Sequence, residues 1–171
     1  MRKLELEKIA CIVAIFCVAV AVASPAQTFT TLVKFNGPPH GATPWQLLQG
    51  IDGNFYGVTL GGGKNGTSSV GGTFFRMTPA GDVSVLYSFC SLANCADGNA
   101  PDGLIQTADG KFYGAALLGG TSVPANCALF GGCGTFFEIA PGHAPTTLYT
   151  FCQLANCADG WRPSAAPRCW A

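Results

Sequence analysis

The sequence predicts an all-β protein with about two antiparallel four-stranded units, which resemble blades of an incomplete β-propeller. Three observations support this prediction. Blocks of sequence recur in the same order, turn-forming residues separate short apolar stretches, and glycine accounts for 23 of the 171 residues. After the N-terminal segment, no long stretch has the apolar spacing of an amphipathic helix. A turn-dense chain of short strands is typical of such a pattern.

The N-terminal segment, residues 1–26, has the organisation of a signal peptide. Arg2, Lys3 and Lys8 precede an unbroken apolar run over residues 9–23, and small residues suited to cleavage follow. The run is shorter than the about 20 residues that a membrane-spanning helix needs, so an uncleaved anchor or a buried helix is the less favoured interpretation. We therefore expect an exported protein, secreted or at the cell surface, that meets the membrane only through this segment.

Charged residues are sparse and balanced, with 9 Lys and Arg against 9 Asp and Glu. This composition provides neither the basic field that attracts nucleic acid nor an acidic tail. We expect no nucleic-acid partner. The length after the signal peptide corresponds to one ordinary domain.

Three blocks of sequence recur in the same order, which indicates tandem repeats. The recurring blocks are LVKF at Leu32 with LYSF at Leu86 and LYTF at Leu148, LLQGIDGNFYG at Leu47 with LIQTADGKFYG at Leu104, and GTFFRMTPAG at Gly72 with GTFFEIAPG at Gly134. Self-similarity at this spacing is a mark of stacked or radial repeat architectures. We assign the repeat region to residues 27–163, with units at about 36–89 and 90–151.

Each unit can be divided into four strands. In the second unit the predicted strands lie around residues 104–107, at 112–118, at 135–140 and at 146–151. In DVSVLYSF of the first unit, strict alternation places Val83, Val85, Tyr87 and Phe89 on one face of the last strand. A further strand of this fourth type is predicted over residues 30–35.

The dipeptides Asp52-Gly53 and Asp109-Gly110 mark the same turn in the two units. Asp-Gly between apolar stretches predicts a two-residue hairpin in which both turn positions have positive φ. Their recurrence is therefore expected from the scaffold and does not by itself indicate a site.

A closed propeller needs about four blades, and this chain supplies two. The uncovered sheets could self-associate through their open edges, pack as a two-sheet sandwich, or belong to a longer repeat protein. Pro44 and Pro101 are each followed, three residues later, by the start of a Leu-Leu-Gln or Leu-Ile-Gln stretch, and no such stretch follows Pro163. Residues 164–171 are therefore interpreted as an altered or truncated tail, with a natural cap as the alternative.

Two loops of the second unit are longer than their equivalents in the first unit, and each contains a cysteine pair. A third pair follows the second unit, at the place that corresponds to the first pair. In an exported chain this favours three local disulfides, Cys90–Cys95, Cys127–Cys133 and Cys152–Cys157. Zinc is the competing interpretation, but the CxxxxC spacing is a poor match to the usual knuckle, and only His40 and His143 could supply imidazole. We expect neither a metal nor another cofactor. Cys169 has no evident partner.

Three stretches, LYSFCSLANCADG, LIQTADGKFYG and GTFFEIAPG, resemble the GloVer-type tandem-repeat proteins, also called choice-of-anchor tandem repeat proteins. The resemblance covers residues 30–163. It implies an exported bacterial protein with a propeller-like shape, and it supplies no catalytic residues. Many members carry a C-terminal surface anchor, and the resemblance does not extend to an anchor after Ala171.

The ionisable residues do not form a recognisable catalytic motif. Four aspartates precede glycine and are interpreted as turn formers: Asp52, Asp97, Asp109 and Asp159. Calcium binding at Asp52 and Asp97 is an alternative, but each of these stretches offers too few oxygen ligands for the ion. Glu138 corresponds to Arg76 in the first unit, which is typical of an exposed strand position. No GxSxG motif accompanies the histidines.

Most aromatic residues recur by unit and are predicted to be core. Trp45 and Trp161 do not recur, so they could form a ligand-binding rim for a sugar or a protein partner, or simply cover the end of a blade. We therefore expect a non-enzymatic exported repeat protein with a structural or binding role. The alternatives are a glycan-binding module, a secreted hydrolase, and a fragment of a longer repeat protein.

Overall fold

The computed structural model describes residues 28–164 except residues 68, 123, 129 and 130. The predicted signal peptide, Cys169 and all of the altered tail except Ser164 lie outside the described residues. The chain divides into two units at Leu32, and the described residues of the first unit, 28–31, have no regular secondary structure. Among the described residues, no helix is long and apolar enough to cross a membrane.

The unit that begins at Leu32 contains two four-stranded antiparallel sheets, as the sequence predicts. The strands are β1 (Ala42–Gln49), β2 (Phe55–Gly61), β3 (Thr73–Met77), β4 (Val83–Ser88), β5 (Asn99–Gln106), β6 (Phe112–Leu118), β7 (Thr135–Ile139) and β8 (Thr146–Thr150). Sheet 1 has the order β1-β2-β3-β4 and sheet 2 the order β5-β6-β7-β8. One helical turn, α1 (Ala125–Ala128), lies between β6 and β7. The prediction of two blade-like units is confirmed.

Strand β5 begins earlier than the sequence pattern predicts. It starts at Asn99 instead of near Leu104, and a bulge between Pro101 and Gly103 interrupts its register with β6. The same irregularity occurs in β1 between Pro44 and Gln46. A bulge accommodates proline within a strand, which explains why these stretches resembled loops in the sequence.

The hairpin between β1 and β2 differs from the predicted two-residue turn. Gly50 donates its N–H to the carbonyl of Asn54 at 2.7 Å, and Gly53 donates to the carbonyl of Gly50 at 3.0 Å, so three residues form the loop. Gly53 has φ of 81°, whereas Asp52 has a negative φ. The expectation of positive φ at both positions is wrong, because a three-residue loop needs only one left-handed residue, the glycine.

The last strand of each sheet carries a bulge that the alternation pattern does not reveal. Phe74 of β3 faces Tyr87, but the adjacent Phe75 faces Val85, so Leu86 is an extra residue in β4. Tyr87 therefore lies on the opposite face from Val85, and the prediction that they share a face is wrong. The equivalent register shift occurs between β7 and β8.

Each sheet has two faces, which we call front and back. The front face carries Tyr56, Val58, Phe74 and Tyr87 in sheet 1, and Ile105, Tyr113, Ala115, Phe136 and Tyr149 in sheet 2. The back face carries Leu47, Phe55, Phe75, Met77 and Val85 in sheet 1, and Leu104, Phe112, Phe137 and Ile139 in sheet 2.

The back face of sheet 2 packs against the front face of sheet 1, and this contact forms the hydrophobic core. The ring of Phe112 lies 4.6 Å from that of Tyr56 and 5.1 Å from that of Phe74, measured between ring centroids. Val58 and Leu104 belong to the same buried cluster. Tyr56, Phe74 and Phe112 thus help to build the core between the sheets, and a fully buried aromatic side chain contributes about 3 kcal/mol to stability. The prediction that the recurring aromatics are core is wrong for Phe136, which is 38% exposed because no described sheet covers its face.

Hydrogen bonds also join the two sheets. The side-chain amide of Gln46 donates to the carbonyl of Leu104 at 3.0 Å, and its oxygen accepts the Leu104 N–H at 2.5 Å. On the other side of the contact, Gly71 donates its N–H to the Asn99 side chain at 2.8 Å, and its carbonyl accepts the Ala100 N–H at 2.8 Å. These pairs satisfy backbone groups that the contact would otherwise desolvate.

The strand predicted over residues 30–35 does not form, since these residues have no regular secondary structure. Its last residue still packs as the repeat suggests. The ring of Phe35 lies 4.9 Å from that of Phe75 with an interplanar angle of 50°, and Phe89 lies 5.1 Å from Phe137 at 51°. Phe35 therefore covers the back face of sheet 1 in the same way as Phe89 covers that of sheet 2.

Candidate functional site

The repeated turn markers Asp52 and Asp109 organise their own hairpins. Asp52 accepts hydrogen bonds from the Asn54 N–H at 3.1 Å, the Asn54 side chain at 2.8 Å and the Tyr56 hydroxyl at 2.9 Å. Asp109 accepts hydrogen bonds from the Thr107 hydroxyl at 2.5 Å and the Lys111 N–H at 3.3 Å. Both carboxylates are turn acceptors.

These bonds hold both turn carboxylates in the ionised state. The hydrogen bond from the Asn54 side chain is the main cause that lowers the pKa of Asp52, and the Thr107 hydroxyl does the same for Asp109. A general acid at neutral pH requires the opposite shift, a raised pKa. Gly53 and Gly110, with φ of 81° and 84°, supply the left-handed position that closes each turn.

The second pair of carboxylates, Asp97 and Asp159, bind the backbone of two predicted cysteine loops. Asp97 is buried and accepts hydrogen bonds from the Tyr87 hydroxyl at 2.8 Å, the Ser91 N–H at 2.9 Å and the Leu92 N–H at 3.1 Å. The Cys90–Cys95 disulfide closes the loop that supplies these two N–H donors. Asp97 is therefore the acceptor that folds the loop, which is a larger role than the turn former predicted from Asp-Gly alone.

Asp159 repeats this arrangement in the loop closed by Cys152–Cys157. It accepts hydrogen bonds from the Tyr149 hydroxyl at 2.6 Å, the Gln153 N–H at 2.9 Å and the Leu154 N–H at 3.2 Å. The hydrogen bond from Tyr149 is the main cause that lowers the pKa of Asp159 to about 2. The carboxylates of Asp52 and Asp97, the two residues considered for calcium, likewise already accept protein hydrogen bonds.

The third disulfide, Cys127–Cys133, is fully buried and adjoins Cys152. Within the described part of the chain, the three predicted cysteine pairs all form disulfides. The sulfurs of Cys127, Cys133 and Cys152 lie within 4.8 Å of one another, which is close enough for a metal cluster. Zinc binds thiolates, however, so these residues could hold it only after both disulfides were reduced.

Glu138 lies in a polar triad on sheet 2. One carboxylate oxygen accepts a hydrogen bond from the Tyr113 hydroxyl at 2.7 Å, and the other forms an ion pair with Lys111 at 3.1 Å. The Tyr113 hydrogen bond is the main cause that lowers the pKa of Glu138. Glu138 is thus a half-buried strand residue engaged by two neighbours, and it is less exposed than its equivalence to Arg76 predicts.

A cleft of about 550 Å³ lies where the turn between β7 and β8 meets the front face of sheet 1. Its walls include the rings of Tyr56, Phe74 and Phe112, and Arg76 and His143 are its basic residues. Sequence reasoning missed this cleft, because the repeat pattern marks these aromatics as core and cannot show where two sheets separate. Glu138 does not line it.

The two tryptophans singled out from the sequence are not part of this cleft. Trp45 lies on β1 and Trp161 in the loop after Asp159, and both are about half exposed, at 55% and 50%. Neither is among the residues that line the cleft. A ligand rim at Trp45 and Trp161 stays a prediction, separate from the cleft.

A search of curated proteins finds no significant match to this sequence. The Gloeobacter/Verrucomicrobia repeat matches it over residues 18–167, which includes both sheets and all six bonded cysteines. Together with the recurring hairpin, aromatic pair and cysteine loop, this match shows that the chain belongs to the Gloeobacter/Verrucomicrobia repeat family.

Proposed function

We propose that this protein is an exported, non-enzymatic β-repeat protein with a structural or binding role at the cell exterior. The observation that carries the proposal is that the carboxylates at the repeated positions are used by the fold itself. Asp52 and Asp109 hold hairpins, and Asp97 and Asp159 hold cysteine loops. The features that recur are therefore those that build the unit.

Three disulfides in one small domain support the exported part of the proposal. Such bonds persist in oxidising compartments and are rare where thiols are kept reduced. The apolar run at residues 9–23 supplies the route of export.

Export is tested by N-terminal sequencing of the protein recovered outside the cytoplasm, together with a count of free thiols. The proposal predicts a mature N-terminus within residues 24–27 and no free thiol among the six paired cysteines. A protein that keeps Met1 and has reduced cysteines in the cell would contradict it.

The non-enzymatic part is tested by hydrolytic assays on polysaccharide, peptide and ester substrates. The expected result is no turnover above buffer. Turnover that disappears in Glu138→Gln or Asp52→Asn, while the thermal stability of the variant is unchanged, would contradict the proposal.

Glycan binding is the second candidate, and the aromatic cleft favours it. Aromatic rings stack on sugar faces, and Asp52 and Arg76 at the same cleft could hydrogen-bond hydroxyl groups. A glycan array on the wild-type protein tests this. Binding should be reduced at least tenfold in Arg76→Ala and retained in the control Lys64→Ala. An array without hits removes this candidate, and binding lost only in Trp45→Ala would move the site to the tryptophan rim.

A further inference from the structure

We propose that the front face of sheet 2 binds the back face of sheet 1 in a second copy of this chain. The template for this contact is present within the chain, where the back face of sheet 2 packs on the front face of sheet 1. The inference rests on the fold alone and does not depend on export or on the absence of catalysis.

The front face of sheet 2 carries the residue types that are buried in sheet 1, but the described residues leave it uncovered. Phe74 is 2% exposed in sheet 1, whereas its equivalent Phe136 is 38% exposed. Ile105 is 61% exposed, while Leu48, at the same position of sheet 1, packs against the core. Tyr149 on the same face is 39% exposed, and exposed apolar side chains grouped in this way are typical of an interaction surface. Glu138, which is paired with Tyr113 and Lys111, is the charged residue of this face.

The back face of sheet 1 is the matching surface. Leu104 of sheet 2 is 2% exposed, and its equivalent Leu47 is 50% exposed. Phe112 is buried, and its equivalent Phe55 is half-buried. Phe75 and Met77 on the same face are already buried, with Phe35 against Phe75, so this face is open mainly around Leu47. The open parts of the two faces correspond to the two halves of the contact that the chain already makes once.

The ends of β4 and β8 indicate how the second copy would fit. Tyr87 and Phe89 pack edge to face at 5.2 Å and 85°, and Tyr149 and Phe151 do so at 5.3 Å and 83°. Phe89 is fully buried against the next sheet, whereas Phe151 is half-buried. Phe151 is therefore held in the orientation that Phe89 uses for docking.

The receiving place is occupied by Phe35 of the same chain, in contact with Phe75. In the proposed complex, Phe151 of one copy displaces Phe35 of the other. Phe35 then acts as a built-in competitor of association.

The contact between copies should be weaker than the internal one. In the internal contact, the side chains of Gln46 and Asn99 form hydrogen bonds between the sheets. The equivalent positions in the contact between copies are Gly103 and Ala42, which have no polar side chain, so these bonds have no counterpart there. Because the two surfaces differ, the contact is head-to-tail, which builds rings or open chains. Association should therefore depend on concentration.

Sedimentation velocity over a wide concentration range tests the proposal on the full, oxidised chain. Phe136→Glu on the front face of sheet 2 and Leu47→Glu on the back face of sheet 1 should each weaken association by about 30-fold, as expected for a central apolar contact. Leu92→Glu is the matched control: Leu92 is 58% exposed in the Cys90–Cys95 loop, outside both faces, and the change should have no effect. If near-UV circular dichroism shows that the Phe136→Glu variant is unfolded, the Ile105→Glu variant takes its place in the experiment.

A mixing experiment tests the head-to-tail geometry. Phe136→Glu retains an intact back face and Leu47→Glu an intact front face, so an equimolar mixture should form a dimer that neither variant forms alone. Phe35→Ala should strengthen wild-type association several-fold, and Phe151→Ala should weaken it.

A wild-type chain that stays monomeric at all concentrations would overturn the proposal. So would association that persists unchanged in both face variants, because it would then arise elsewhere, for example from residues 1–26. A mixture that shows no dimer would overturn the head-to-tail geometry and the proposal with it.

Discussion

Sheet 1 and sheet 2 have the same strand order, the same bulges and the same hairpin, yet their equivalent residues have different surroundings. The front face of sheet 1 is interior, and the described residues leave the front face of sheet 2 exposed. Phe74 is accordingly buried, whereas Phe136 is 38% exposed. The comparison separates what a unit forms by itself, its meander and its loops, from what it gains through a neighbour.

The largest expected difference lies in the phenylalanines that end β4 and β8. Phe89→Ala removes a fully buried ring and should lower the free energy of unfolding by about 3 to 5 kcal/mol. Phe151→Ala removes a half-buried ring and should cost about 1 kcal/mol. Denaturant unfolding of both variants measures this difference. Equal losses would show that the two units are not in the different surroundings described here.

The disulfides give the next largest difference. Replacing Cys127 and Cys133 together by alanine should cost about 3 kcal/mol, since it removes a short cross-link and buried packing. The same double change at Cys90 and Cys95 should cost about 2 kcal/mol, because those residues are half-buried. Thermal unfolding under non-reducing conditions compares them, and a larger loss at Cys90 and Cys95 would reverse this order.

The hydrogen bonds between the sheets should have a smaller effect. Gln46→Ala leaves the N–H and carbonyl of Leu104 without their partner and should cost about 2 kcal/mol. Gln49→Ala, the matched control three residues later, removes one exposed bond to Gly53 and should cost less than about 0.5 kcal/mol. Equal free energies of unfolding for the two variants would show that Gln46 does not contribute to the contact between the sheets.

The smallest effect concerns pH. Because the pKa of Asp159 is lowered to about 2 in the folded state, its stabilising bonds are fully present above the unfolded pKa of about 4. They are lost as the pH falls towards about 2. Tyr149→Phe removes the main cause and should move the carboxyl titration of Asp159, followed by NMR, back towards pH 4. A titration already near pH 4 in the wild type would contradict this.

The strands and the cysteine pairs could be predicted because they depend on local sequence. The stretch FYGAALL forms β6 over the predicted residues, and the paired cysteines lie only five or six positions apart. Local patterns also predict where the turns lie, but they do not predict the length of the turn. In each Asp-Gly pair only the glycine has positive φ, whereas a two-residue turn would need it at both residues.

The features that could not be predicted depend on pairing between strands or between sheets. Leu86 is an extra residue only because Val85 and Tyr87 face adjacent residues of β3. The cleft arises where the sheets separate, and Tyr56 and Phe112 carry the same pattern as aromatics that are simply core. The triad of Lys111, Tyr113 and Glu138 likewise needs β6 and β7 in register.

The packing of one sheet on the next is tested most directly by nuclear Overhauser contacts between aromatic rings. With phenylalanine and tyrosine ring protons assigned, the account predicts cross-peaks from Phe112 to both Tyr56 and Phe74, whose ring centroids lie 4.6 and 5.1 Å away. A folded protein in which Phe112 shows contacts only within its own sheet would contradict the account.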